Sequence, residues 1–125
     1  MREIIETRNA PAPIGPYSQA IRVNGFIFVS GQIPLDPASG AVVQGDIVDQ
    51  TRQVMNNLAA ILESAGSGLA KIVKTTVFLT DLEHFARFNQ VYGEFLGEAK
   101  PARATVQVSR LPKEVLLQVD AIALG

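Results

Sequence analysis

From Lys100 to Ser109 the chain alternates with period two, which makes this segment a strand with two unlike faces: Ala104, Val106 and Val108 share one, Arg103, Thr105 and Gln107 the other. The arginine narrows what such a strand can do. A guanidinium taken out of water without a partner is costly, and its planar fork of donors matches a carboxylate. Arg103 therefore calls for an anionic ligand or an acidic neighbour.

The segments around that strand predict a mixed sheet covered by two helices. Three prolines and a glycine between Asn9 and Pro16 give an ordered loop, with strands expected on either side. Ser18–Val23 and Phe26–Ser30 read as strands joined by the Asn24-Gly25 turn, and Leu35–Gly45 as a surface loop. Asp46 is placed to cap a helix whose apolar positions run Ile47, Val54, Leu58, Ile61, Leu62 and Ala65, ending at Gly66. The β-branched run Ile72–Leu79 predicts a central strand. Asp81 is expected to cap a second helix with the stripe Phe85, Phe88, Val91, Tyr92, Phe95 and Leu96. After the Arg103 strand, Arg110–Glu114 links to a last strand, Val115–Leu124. This pattern is α+β: about five or six strands with two helices on one face, in a single domain spanning residues 1–125. The other sheet face is left bare, and association of copies is the usual way to cover it.

Composition supports association and narrows the function classes. Apolar residues make up 47% and charged residues only 18%, the latter below the roughly 25% typical of soluble proteins. Eleven basic and twelve acidic residues are scattered singly, so no basic stripe matches a row of phosphates, and a nucleic-acid partner is not favoured. The absence of cysteine excludes disulfides, thiolate metal sites and a cysteine nucleophile, and the single histidine, His84, cannot build a histidine-rich metal centre. Met1–Glu6 lacks the apolar core of a signal peptide and no stretch approaches a membrane span, so a cytoplasmic protein without a membrane partner is expected.

On the last strand Leu116, Gln118 and Asp120 share one face, Val115, Leu117, Val119 and Ala121 the other. The five-residue link suggests a hairpin of the last two strands, which would set Arg103, Thr105 and Gln107 beside Gln118 and Asp120 on one surface. An Arg103–Asp120 ion pair at a sheet edge is the structural alternative to an anion site. Tyr17, Ser30, Asn89 and His84 could also reach such a site. Each has a structural alternative: anchoring the proline loop, satisfying a strand end, facing solvent, or joining the helix cap. No Ser–His–Asp order, phosphate loop or metal-ligand spacing is present.

Several motifs together resemble the RidA (YjgF) family of reactive enamine/imine deaminases: Asn9-Ala10-Pro11, Ile14-Gly15-Pro16-Tyr17, Ser30-Gly31-Gln32-Ile33-Pro34, Ile72–Phe78, Pro101-Ala102-Arg103 and Arg110-Leu111-Pro112-Lys113. The resemblance runs from end to end. It implies a chorismate-mutase-like fold and a homotrimer with sites between subunits. It also implies hydrolysis of 2-iminobutanoate and 2-iminopropanoate to 2-oxo acids and ammonia, with no cofactor and no metal. By the same resemblance Arg103 clamps the substrate carboxylate, Tyr17, Ser30 and Asn89 line the pocket, and the backbone at Gly31 and Thr105 supplies hydrogen bonds.

Two positions depart from the family pattern. Thr105 stands where cysteine is frequent, and Gln118 stands where the deaminases usually carry a glutamate that positions the attacking water. A glutamine can accept a hydrogen bond from water but cannot take its proton. Asp120 is the acid nearest in sequence on the same face. The alternative reading is therefore a trimeric small-carboxylate-binding or regulatory module with little turnover. A third, the translation-inhibiting endoribonuclease role attached to some relatives, fits poorly with a net charge of −1.

Overall fold

The computed structural model describes residues 1–125. Six strands, β1 (Glu3–Ile5), β2 (Ala20–Val23), β3 (Phe26–Gln32), β4 (Ile72–Leu79), β5 (Ala102–Gln107) and β6 (Leu117–Leu124), form one sheet in the order β1-β2-β3-β6-β4-β5. β4 and β5 run parallel and every other neighbouring pair antiparallel. Helices α1 (Ile47–Ser64) and α2 (Phe85–Leu96) lie against one face, which makes the fold α+β. No helix is long and apolar enough to cross a membrane.

Local chemistry explains the helix boundaries. Asp46 accepts from the backbone N–H of Val48 and Asp49 at 3.0 and 3.2 Å, while the Asp49 carboxylate accepts from Asp46 N–H at 3.1 Å, closing a capping box on α1. Arg87 of α2 hydrogen-bonds the Asp46 carboxylate, which lowers its pKa from the ordinary value. Asp81 caps a short 3-10 turn, Leu82–His84, that leads into α2, so the second helix begins four residues after the expected cap. The His84 side chain takes no part in that cap.

The last two strands do not form the expected hairpin. α2 crosses over between β4 and β5 and delivers β5 to the outer edge, and β6 then returns antiparallel between β3 and β4. Burial explains the choice. Leu117, Val119, Ala121 and Ala123 are all 3% exposed or less and fill the sheet centre under α1, whereas Ala102, Arg103 and Ala104 are exposed and suit an edge. A fully buried leucine or valine contributes about 1.5–3 kcal/mol and an alanine less, so the strand with the more completely buried apolar face takes the central position.

This topology also reassigns the faces. Arg103, Thr105 and Gln107 pair with Thr75, Val77 and Leu79, on the helix-covered side. Gln118 and Asp120 lie on the bare side, opposite Phe78 and Thr76. Arg103 and Asp120 therefore do not share a surface, and Asp120 is absent from the ion pairs of the chain. The bare face carries Ile4, Phe26, Phe28 and Leu124, each between 40% and 55% exposed.

Candidate functional site

Most of the residues singled out in the sequence fall into two groups on opposite faces of the sheet. The first surrounds a pocket of about 440 Å³ whose lining includes Tyr17, Ser30, Gly31, Ile33, Pro112 and Gln118. A β-bulge builds it. Between Val29↔Ala121 and Gln32↔Val119, the two residues Ser30 and Gly31 oppose the single residue Asp120, which bends β3 and re-aims its end. The Ser30 hydroxyl donates to the Ser18 carbonyl at 2.6 Å, so its proton is committed and it offers the pocket only lone pairs. Tyr17 is exposed, with its phenol oxygen 3.4 Å from the Ile14 amide that donates to it.

Buried amides hold the surrounding loops. Gln19, 3% exposed, donates to the carbonyls of Thr7, Ala10 and Pro11 and accepts from Thr7 N–H, which fixes the proline loop over the pocket. From α1, Asn57 donates to the Ile33 and Leu35 carbonyls, and Gln50 accepts from Leu116 N–H at 2.9 Å. These three amides escaped sequence reasoning because a glutamine or asparagine within an apolar segment looks like an interruption until the loop carbonyls it satisfies are seen.

Gly31 and Gln118 are in contact. A Cβ placed on Gly31 would sit 2.5 Å from Gln118 Nε2 and 2.8 Å from its Cδ. Glycine leaves room here for the Gln118 amide to lie against it. Because the obstructed atoms are the far end of a flexible side chain, Gly31→Ala should displace Gln118 at little cost in stability. Thermal melts are expected to shift by only a few degrees, while ligand affinity or turnover falls at least ~10-fold, about 1.4 kcal/mol. Unchanged affinity and turnover would remove Gln118 from the site.

The second group lies at the β5 edge under α2. Arg103 Nη1 donates to Asn89 Oδ1 at 2.6 Å, and the guanidinium carbon lies 4.8 Å from the Tyr92 ring centroid and 5.4 Å from that of Phe85. Nε and Nη2 make no hydrogen bond within the chain, so one edge of the fork is open. Thr105, two residues along the same face, has a buried Oγ1 without a hydrogen-bond partner. The sequence named Asn89 but treated Phe85 and Tyr92 only as apolar stripe. The signal was there: Phe85, Asn89 and Tyr92 are spaced i, i+4, i+7, a polar residue between two aromatics on one helix face. His84 joins neither group.

A mixed six-stranded sheet with both helices on one side, a bulge-lined pocket and an oriented edge arginine define a class of small α+β protein. Comparisons with known proteins place it further. A family model described as Endoribonuclease L-PSP matches residues 7–125. The RutC family protein PH0854 of Pyrococcus horikoshii is 58% identical over 123 residues, covering 98% of each chain. The Rid family protein YyfA of Yersinia pestis superposes with a TM-score of 0.97 at 47% identity, covering 100% of both chains. E. coli TdcF with bound serine superposes with a TM-score of 0.92 at 45% identity over 98% of each chain. The chain belongs to the Rid (YjgF/RidA) family.

Proposed function

We propose that the chain hydrolyses small 2-imino acids and their enamine tautomers, 2-iminobutanoate and 2-iminopropanoate, to 2-oxo acids and ammonia. One observation carries this reading: the chain presents, on opposite sheet faces, a guanidinium fork with an open edge and a pocket with an amide over its glycine floor, which we read as two half-sites. The first suits a carboxylate, the second an imine carbon and a water. Family membership supports it, and the serine held by the TdcF relative is a small molecule with an α-carboxylate.

In this reading Arg103 binds the substrate carboxylate through its free edge while Asn89 holds the other. Water, accepted by the Gln118 amide oxygen, adds to C2 of the imine. The C2–N bond then breaks, and ammonia leaves with the protons that water and solvent supply. Tyr17, Ser30 and the Gly31 and Thr105 backbone surround the substrate. Water and the imine contain every atom of the products, so the reaction calls for no cofactor.

The half-sites lie on opposite faces of one sheet, so a single copy cannot close both on one ligand. The complete site would lie between copies in a homotrimer, which would also cover the apolar face bearing Phe26, Phe28 and Leu124. Light scattering coupled to gel filtration should give three times the 13.4 kDa chain mass. A stable monomer at micromolar concentration would overturn the shared site. For the activity, ammonia release from freshly generated 2-iminopropanoate should exceed the uncatalysed rate.

Gln118 favours a second reading, a carboxylate-binding or regulatory module with little turnover. It is distinguished by ligand affinity without ammonia release. The endoribonuclease role in the family description draws no support from 11 scattered basic residues and a net charge of −1.

A further inference from the structure

Arg103 is held in place by contacts that its proposed role as carboxylate anchor does not itself explain. Its guanidinium carbon lies 4.8 Å from the Tyr92 ring, and Tyr92, 7% exposed, is fixed in turn by a 2.7 Å hydrogen bond between its phenol and the fully buried Thr75 hydroxyl. Thr75 sits on β4 directly beside Arg103 on β5. A buried phenol must find a polar partner, and this one finds it on the strand that also sets the register of Arg103. Phe88 packs against Tyr92 with ring centroids 5.4 Å apart, and Phe85 lies 5.4 Å from the guanidinium.

An arginine on an exposed edge strand would ordinarily sample many rotamers, and binding a ligand would have to select one. Here the Asn89 hydrogen bond and the Tyr92 ring, itself held by Thr75, give the guanidinium fixed neighbours. We infer that Tyr92, locked by Thr75, is a positioning residue that pre-orients Arg103 and so raises the affinity for small carboxylates, a role that rests on the reading of Arg103 as the anchor. Asn89 fixes one end of the fork, the Tyr92 ring fixes its plane, and the free edge is presented ready to pair.

The test uses Tyr92→Leu and Tyr92→Phe with two measurements. In the ligand-free parent the Arg103 side-chain Nε–H resonance, assigned by its loss in Arg103→Lys, should show a ring-current shift that Phe retains and Leu abolishes. Calorimetry with 2-oxobutanoate should show affinity falling ~5-fold or more in Tyr92→Leu and by a smaller factor in Tyr92→Phe, which keeps the ring but loses the hydroxyl that Thr75 holds. Equal affinity in all three proteins, or an Arg103 resonance indifferent to Leu, would overturn the positioning role. If the parent binds no 2-oxobutanoate, the anchor reading fails and the affinity role falls with it, whereas a shifted resonance would still establish the orientation. Should Tyr92→Leu not fold, Thr75→Val, which removes the hydroxyl that holds the Tyr92 ring, is judged on the same two readouts.

Discussion

Arg103→Lys is expected to lower the affinity for 2-oxobutanoate about 100-fold while the secondary structure and the assembly persist. A desolvated, charge-assisted pair to a carboxylate contributes about 1.5–3 kcal/mol, and each 1.4 kcal/mol is tenfold in affinity. Lysine keeps the charge but loses the plane. Its three donors radiate from one nitrogen and cannot form a planar bidentate pair with a carboxylate beside Asn89, and it offers no flat face to Tyr92. Arg103 is exposed on an edge strand, so the substitution opens no cavity and stability should change little. Calorimetry together with circular dichroism checks both halves. An unchanged affinity in a folded variant would reduce Arg103 to a structural partner of Asn89.

Gln118→Glu is expected to raise the rate of imine hydrolysis, by about 10²–10⁴-fold if general-base catalysis is what the parent lacks. The two side chains are nearly the same size, so the carboxylate can occupy the place over Gly31 that the amide now fills. Its function depends on ionisation. Below its pKa the new acid is protonated and cannot accept the proton of water, so the rate of the variant should rise with pH through that pKa and then level. Glutamine does not titrate, and the parent should lack this acid limb. Stopped-flow rates across the acid range decide the matter. A rate that stays equal or falls in an intact assembly counts against the mechanism. A limb already present in the parent would transfer the base role to Asp120, two residues along the same face, and Asp120→Asn should then abolish it.

Much of this protein follows from residue order alone. The Asp46–Asp49 capping box, the α1 stripe through Val54, Leu58 and Ile61, and the β-branched run of β4 depend on neighbours within a few residues, and each element forms where those neighbours predict it. Leu117, Val119, Ala121 and Ala123 likewise reveal a buried face through period-two alternation. The site residues were legible as types: an arginine in a strand, and polar residues alternating with apolar ones. What local patterns cannot carry is which strands become neighbours. The short link before Val115 suggested a hairpin, but burying the more apolar β6 at the sheet centre outweighed the short connection and moved β5 to the edge. That single choice put Arg103 and Gln118 on opposite faces and replaced an Arg103–Asp120 pair with the Asn89–Tyr92 seat. Alternation tells which residues share a face of one strand, whereas only the packed sheet decides which strands share a face with one another, because that depends on the total apolar area each arrangement removes from water.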